Sequence, residues 1–174
     1  MKYYLSILAL LLACRAQAEI GFRNWDDPDA APWKESGYAL PAFPKDENLL
    51  EFYVSATANA QYFIDQSSIS TGGNDNVVRY VMVIKTAGGA TNISYEGIRC
   101  DQTQLRIYAT GRSDGTWVEA RNSNWRPLKN QSLNRHQGAL ARNYFCPNYI
   151  PIFTADEGRN ALRRGAHPDA PSQF

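Results

Sequence analysis

Apolar residues recur at every second position through most of the segment between residues 49 and 120, and short glycine-containing turns interrupt the pattern. A period of two places side chains alternately on the two faces of a β-strand. Turns as short as TAGGAT and SDG connect antiparallel neighbours, because a parallel crossover needs a dozen or more residues. The sequence therefore predicts an antiparallel meander of five to six strands: LLEFYVSA, QYFID, VVRYVMVIKT, NISYEGIRC, QLRIYATGR and TWVEA.

Helical patterns follow the strands. The first is SLNRHQGALARNYF, whose apolar residues fall near one face of a helix. The second is TADEGRNALRRG, which begins with a capping box of Thr154 and Glu157 and ends at Gly165. Residues 166–174 include two prolines and predict a disordered tail. The predicted fold class is α+β, with one or two C-terminal helices packed on the sheet.

The first 18 residues have the pattern of a secretory signal peptide. Lys2 precedes an apolar run at residues 3–12, and small residues follow at Ala16 and Ala18. The run is shorter than the roughly 20 apolar residues that a transmembrane helix requires, and no later segment reaches that length. We therefore expect an exported protein without a transmembrane span.

Two processing routes remain open for this export signal. The string AQA before Glu19 predicts cleavage after Ala18, which leaves the protein in the periplasm. The string LLAC instead resembles a lipobox, in which Cys14 is acylated and the product is an outer-membrane lipoprotein. Cleavage after Ala18 removes Lys2, Arg15 and no acidic residue, so the formal net charge falls from +1 to −1. Such a charge gives no electrostatic reason to expect a nucleic-acid partner.

Cys100 and Cys146 are the two cysteines beyond the signal region. Two thiols of one small domain usually pair in an oxidising compartment. A catalytic or metal-binding role is the alternative, but neither cysteine belongs to a C-x-x-C string or has a histidine close in sequence. We predict a disulfide, whose long loop is worth roughly 4 kcal/mol of chain entropy.

Residues 19–45 are predicted to form an extended arm, because four prolines exclude a long helix there. Trp33, Tyr38 and Phe43 are spaced so that the arm can lie across the domain and bury them. An exposed Pro-aromatic ligand is the alternative. A single domain is expected at residues 46–165. The candidate binding surface comprises Trp33, Tyr38, Trp117 and Trp125.

The hairpin between the third and fourth predicted strands sets the neighbours of Glu96. If Gly88 and Gly89 form a two-residue turn, Val81 lies beside Glu96, and Arg79 becomes a diagonal neighbour on the same face. We expect Arg79 and Glu96 to form an ion pair beneath a covering helix. The alternative is a functional carboxylate at Glu96.

Several uncommon strings occur in one order along the chain. They are FPKDENLLEFYVSA, FIDQSSIS, VVRY, GATNISYEGIRC, IYATGRSDGTW, NWRPL and YFCPN. In this arrangement the chain resembles the cryptic neisserial protein-like family, a family of exported domains in Betaproteobacteria, over residues 33–165. The resemblance implies that the cysteines of IRC and YFCP belong to a shared pattern. It also favours the periplasm of a Gram-negative cell, and it carries no catalytic residues with it.

No motif in the sequence defines a reaction. His136 is the one histidine of the predicted domain, so we expect no metal site, and the chain has no phosphate loop or other cofactor motif. Asp65 and Glu96 could serve as the carboxylate pair of a glycan hydrolase, or a serine could act with His136 and Asp65. We favour a non-catalytic envelope module that binds a protein or peptidoglycan. The alternative is a small periplasmic hydrolase that acts on cell-wall glycan or peptide.

Overall fold

Seven strands form one antiparallel sheet in the computed structural model, which describes residues 32–128 and 135–171. The strands are β1 (Leu49–Glu51), β2 (Ala60–Thr71), β3 (Val77–Thr86), β4 (Thr91–Arg99), β5 (Gln104–Gly111), β6 (Trp117–Glu119) and β7 (Arg126–Pro127). Their order in space follows the chain from β1 to β6, and β7 pairs with the start of β5. The predicted meander is confirmed, with β7 as an additional short strand. The predicted signal peptide at 1–18 lies outside the described residues, as does the arm before residue 32.

The turn between β3 and β4 contains three residues, 87–89, instead of the expected two. Thr86 N donates to Ala90 O at 2.9 Å, and Gly89 N donates to Thr86 O at 3.0 Å. Gly89 has a φ of 84°, the left-handed conformation that completes a three-residue hairpin turn. Glycine adopts this conformation without the steric cost that a Cβ would bring. The predicted two-residue turn is therefore wrong.

The longer turn changes which residues of β3 and β4 face each other. Tyr80 pairs with Glu96 and Arg79 pairs with Gly97, whereas a two-residue turn would set Val81 beside Glu96. A shift of one residue moves every side chain of a strand to the opposite face of the sheet. Arg79 and Glu96 therefore lie on opposite faces.

Both faces of the sheet are covered. The helix face, which carries Tyr80 and Ile98, packs against the C-terminal helical segments in the larger of two hydrophobic clusters. The arm face, which carries Val81 and Tyr95, holds the smaller cluster. The arm, residues 33–45, lies extended against this second face without regular secondary structure. With both faces covered, β3 is buried from Val77 to Val83, as its nearly continuous apolar sequence requires.

Two C-terminal helices pack on the helix face, as predicted. They are α1 (Arg135–Leu140) and α2 (Ala155–Arg164). A π-helical turn at Ala141–Phe145 follows α1 directly, and a 3₁₀ turn at Pro147–Tyr149 comes next. Residues 132–134, predicted as the start of the first helix, lie outside the described residues. None of the helices in the described parts of the chain is long and apolar enough to cross a membrane.

The predicted start and end of α2 are confirmed. Thr154 caps the helix, since its Oγ1 accepts a hydrogen bond from Glu157 N at 3.1 Å. Glu157 reaches back past the cap to accept from Phe153 N at 2.7 Å, one residue earlier than in a standard capping box. At the other end, Gly165 adopts a left-handed φ of 82°.

The predicted disulfide is confirmed. Cys100, which directly follows β4, is bonded to Cys146, which directly follows the π-helical turn, with a Cα–Cα distance of 5.3 Å. Both cysteines are buried in the cluster between the sheet and the helices. The bond therefore joins the end of a central strand to the end of the first helical segment.

Residues 166–171 pack against the domain, so the predicted disordered tail is wrong for them. His167 is buried, and its backbone N–H donates to the backbone oxygen of Asn143 at 2.8 Å. The ring Nε2 of His167 lies 2.9 Å from Glu157 Oε1. These contacts hold the chain beyond Gly165 beside both helical segments, and residues 172–174 lie outside the described residues.

Removing the disulfide tests its contribution to the fold. Replacing both Cys100 and Cys146 by alanine should lower the free energy of unfolding by about 2–4 kcal/mol, because the bond closes a long loop in the unfolded chain. Urea unfolding of the variant and of the oxidised parent measures the difference. The reduced parent should match the variant, and equal stability of oxidised and reduced parent would contradict this role.

Candidate functional site

The buried charges of the arm face are organised around Arg79. Arg79 Nη2 donates to Asp75 Oδ2 at 2.7 Å and to Glu35 Oε1 at 3.0 Å. Arg79 and Asp75 are 3% and 1% exposed, respectively, so this ion pair is buried. Burial raises the pKa of the Asp75 carboxyl, but hydrogen bonds from Arg79 and two backbone N–H groups outweigh it, so the pKa is lowered. The predicted pair of Arg79 with Glu96 is wrong, because the three-residue turn places them on opposite faces.

Glu35 joins the arm to this network. Its carboxylate accepts hydrogen bonds from Tyr108 Oη at 2.6 Å, from Trp125 Nε1 at 3.1 Å and from Arg106 Nη1, in addition to the bond from Arg79. Burial raises the pKa of Glu35, but these hydrogen bonds and the charge of Arg106 lower it by more. The pKa is therefore lowered overall, and the ionised carboxylate is favoured. One side chain of the arm thus contacts β3, β5 and the segment before β7.

The network fits into space that Gly97 leaves open. Gly97 lies between Arg79 and Arg106 in the register of the sheet, and a Cβ there would come within 2.5 Å of the Tyr108 hydroxyl oxygen. A β-bulge in β5 positions the ring of Tyr108. Tyr95 pairs with Ala109 and Glu96 pairs with Ile107, so one residue of β5 between them has no partner on β4. The extra residue, Tyr108, is thereby aimed at the arm face.

The four aromatic residues of the candidate binding surface contact the arm or belong to it. The Trp33 ring lies 5.9 Å from the Trp125 ring, edge to face, and Tyr38 lies 4.2 Å from Tyr108. Trp117 Nε1 donates to an arm carbonyl at 2.9 Å. Tyr38 remains 43% exposed, while Trp117 and Trp125 are half-buried. These rings therefore have partners within the chain, and their contacts help to hold the arm against the sheet.

Glu96 occupies the other face and is 2% exposed. Ser94 Oγ donates to its Oε1 at 2.6 Å, and Tyr80 Oη donates to Oε2 at 3.0 Å. Gln137 Nε2, on α1, lies 3.3 Å from both oxygens of the carboxyl. None of the groups that donate to Glu96 in the described part of the chain is a cation. Burial therefore dominates and raises the pKa of Glu96, despite the lowering effect of these hydrogen bonds.

Gln137 is the contact of Glu96 on α1. Its Nε2 donates to the Glu96 carboxyl, while its Oε1 is buried and has no hydrogen-bond partner among the described residues. Glu96 thus fastens α1 to the centre of the sheet.

The residues of the hydrolase alternative are not gathered into one site. Asp65 lies on the arm face, opposite Val81, and accepts from Ser67 Oγ at 2.6 Å. Glu96 lies on the helix face, and so does His136, which stacks on Tyr62 at 5.1 Å. Burial lowers the pKa of His136 to about 4. Within residues 32–128 and 135–171, no cluster of His, Cys, Asp and Glu is placed to hold a metal ion.

A pocket of about 300 Å³ opens beside the disulfide. Its buried lining comprises Ile98, Cys100, Leu128, Ala141 and Cys146. Exposed side chains line its mouth, among them Arg142, Asn148 and Tyr149. The pocket is therefore apolar inside and polar at its opening, which is the usual composition of a small-ligand site.

An exposed aromatic loop adjoins this pocket. The aromatic loop consists of Tyr149, Ile150 and Phe153, which are 70%, 52% and 77% exposed. Tyr149 follows Asn148 in the left-handed region, with φ values of 66° and 52°. A left-handed conformation is unfavourable for a large side chain such as tyrosine. The backbone thus holds an aromatic ring in solvent at a conformational cost.

Fold and site together define a small disulfide-bonded α+β domain whose single sheet is covered by helices on one face and by an N-terminal arm on the other. Residues 28–163 match the CNP1-like family. This match covers most of the chain, so the chain belongs to the CNP1-like family, and the resemblance found in the sequence is confirmed.

A curated relative supports the assignment. The chain is 24% identical over 176 residues to Cryptic neisserial protein 1 of Neisseria gonorrhoeae (strain ATCC 700825 / FA 1090), an alignment that covers 85% of this chain and 86% of that protein. No solved structure matches the chain significantly.

Sequence reasoning missed the partners of Arg79 and the pocket. Asp75 belongs to the string GGND, which is typical of an ordinary turn. Glu35 lies 44 positions before Arg79, and its only signal is that it is an acidic residue between the aromatic residues of the arm. Asparagine adopts left-handed conformations more readily than most residues, but no pattern in YFCPNY indicates that Tyr149 does so as well.

Replacing Arg79 by methionine should cost about 3–5 kcal/mol in the free energy of unfolding, because it leaves Asp75 buried without its cation. Urea unfolding at pH 7 measures the loss. Arg112, which is exposed in the turn between β5 and β6, supplies the matched control, and Arg112→Met should change stability by less than about 0.5 kcal/mol. A loss below about 1 kcal/mol for Arg79→Met would refute the network's role.

Glu96→Gln should have the opposite effect. The folded-state pKa of Glu96 is raised, so its stabilising contribution is complete below the unfolded pKa and is lost as the pH rises through the folded pKa. Glutamine does not ionise, so the variant does not lose this stability as the pH rises. The variant should match the parent near pH 4 and exceed it at pH 7, by a free energy of unfolding on the order of 1 kcal/mol or more.

Melting temperatures of parent and variant between pH 4 and pH 8 measure this difference. Asp101→Asn, at an exposed carboxylate, is the control and should show no comparable gain at neutral pH. A destabilised Glu96→Gln variant at pH 7 would show that the carboxylate is required in its charged form.

Proposed function

We propose that the protein is an exported envelope module that binds a protein partner without catalysis, through the aromatic loop of Tyr149, Ile150 and Phe153. The observation that carries the proposal is the exposure of three large apolar side chains within five positions. Exposing large apolar side chains to water is unfavourable, so a cluster of them is usually covered by a partner. Export itself rests on the signal-peptide pattern of residues 1–18.

The loop is built as a preformed contact surface. Pro147 is buried beside the disulfide, and α2 begins directly after Thr154, so both ends of the loop are anchored to the core. Phe153 N is bound by Glu157, and Phe153 O accepts from Thr71 Oγ1 at 3.3 Å. A surface whose backbone is already fixed loses little conformational entropy when it binds.

Site-specific photo-crosslinking tests this proposal in the intact cell envelope. Benzoylphenylalanine in place of Phe153 should yield a discrete protein adduct, because the ring lies at the proposed interface. The same probe at Tyr53, which follows β1 and is 58% exposed, is the matched control and should yield none. The Tyr149→Asn substitution, which suits a left-handed backbone, should weaken the adduct at Phe153 about tenfold or more.

Three outcomes would count against the proposal. Absence of any adduct specific to Phe153 in exported protein would contradict the proposal of a protein partner. Cosedimentation of the purified protein with peptidoglycan, lost in the Tyr149→Asn variant, would replace the protein partner with a cell-wall glycan. Recovery of the protein only in the cytoplasm would remove the envelope assignment.

A further inference from the structure

We propose that the pocket beside the disulfide binds one medium-chain fatty acid, with its alkyl chain over the Cys100–Cys146 bond and its carboxylate at Arg142. This small-ligand site goes beyond the protein partner proposed for the aromatic loop. The two are carried by different observations, and their tests use different probes and variants.

Most residues with an unfavourable backbone conformation line this pocket. Four residues other than glycine have a positive φ in the described parts of the chain: Asn76, Thr103, Asn148 and Tyr149. Three of them, Thr103, Asn148 and Tyr149, line the pocket. Such conformations are unfavourable for residues other than glycine, and they cluster at ligand sites. Asn76, the fourth, closes the turn before β3 beside Arg79's partner Asp75.

The helical side of the pocket is also irregular. Ala141 and Arg142 belong to the π-helical turn, and both line the pocket. Single π-helical turns inside helices are rare and are frequent at functional sites. Here the turn brings the apolar Ala141 to the interior and the cationic Arg142 to the mouth.

The lining chemistry selects the ligand. Ile98, Leu128 and Ala141 offer only hydrocarbon to the interior, which suits an alkyl chain. At the mouth, Arg142 is exposed, and no carboxylate in residues 32–128 or 135–171 lies within salt-bridge distance of it. An arginine without an acidic partner matches a carboxylate of the ligand. Charge complementarity therefore favours a fatty acid over a neutral or cationic amphiphile.

The volume sets the length of the chain. The pocket, at about 300 Å³, is at the small end of ligand sites in proteins, which fits one small molecule. This is enough for decanoate and too little for a lipid with two acyl chains. We expect affinity to rise with each added methylene until the pocket is filled and then to level off.

Decanoate binding to the purified mature protein tests the proposal, measured by calorimetry below the micelle concentration. We expect one saturable site and chemical-shift changes in the methyl groups of Ile98, Leu128 and Ala141. Gly138 lines the pocket from α1, so Gly138→Leu should fill it and weaken binding at least tenfold. The methyl shifts of the parent protein locate the site even if that variant fails to fold.

The headgroup is tested separately. Arg142→Gln should weaken decanoate binding about fivefold and leave decanol binding unchanged, because only the acid interacts with the guanidinium. Arg121, which is exposed and does not line the pocket, is the control, and Arg121→Gln should leave both ligands unaffected.

Three results would overturn the proposal. They are the absence of saturable binding by the parent, methyl shifts outside the pocket, and equal loss of decanoate and decanol in Arg142→Gln. None of these results bears on the photo-crosslink at Phe153, so the two proposals fail independently.

Discussion

The buried guanidinium of Arg79 is the constraint on which the arrangement of the arm face depends. A buried cation needs compensating charge and hydrogen bonds, and the turn before β3 supplies one carboxylate, Asp75. The second carboxylate, Glu35, comes from the arm, and Ser36 N binds Asp75 as well. The arm is therefore held by the charges of the sheet, and it covers the apolar residues that would otherwise face water. The ion pairs and the second hydrophobic cluster thus form together.

One extra residue in a turn places Arg79 and Glu96 in different chemical environments. The three-residue turn between β3 and β4 puts Arg79 with two carboxylates on the arm face and leaves Glu96 among neutral donors on the helix face. The carboxyls of Asp75 and Glu35, near the guanidinium, have lowered pKa values, whereas burial raises that of Glu96. Had the two residues paired, neither effect would exist in this form. The arm would then have no buried cation to bind, and Glu96 would not be free to accept from Gln137 on α1.

The elements of the fold follow from local patterns, whereas the partners within it do not. Alternating residues predict the strands, Thr154 and Gly165 predict α2, and two cysteines in a chain with a predicted export signal predict their bond. The register fails because TAGGAT is compatible with turns of two or three residues, and only the conformation at Gly89 decides between them. Glu35 could not be assigned to Arg79, since a contact across 44 positions depends on tertiary packing. The pocket depends on left-handed residues and a π-helical turn, for which the sequence has no general signal.

The segment between α1 and α2 has more irregular backbone than a connection requires. A relaxed loop could join the two helices, yet the chain passes through a π-helical turn and two left-handed residues. The disulfide at Cys146 and the buried Pro147 fix the chain there, so the core sustains the local strain. That strain adds no buried apolar area, because Tyr149 remains 70% exposed. This conformation lowers stability without improving the core, since it exposes an aromatic ring beside an apolar pocket. We favour a role in binding as the physical reason for it.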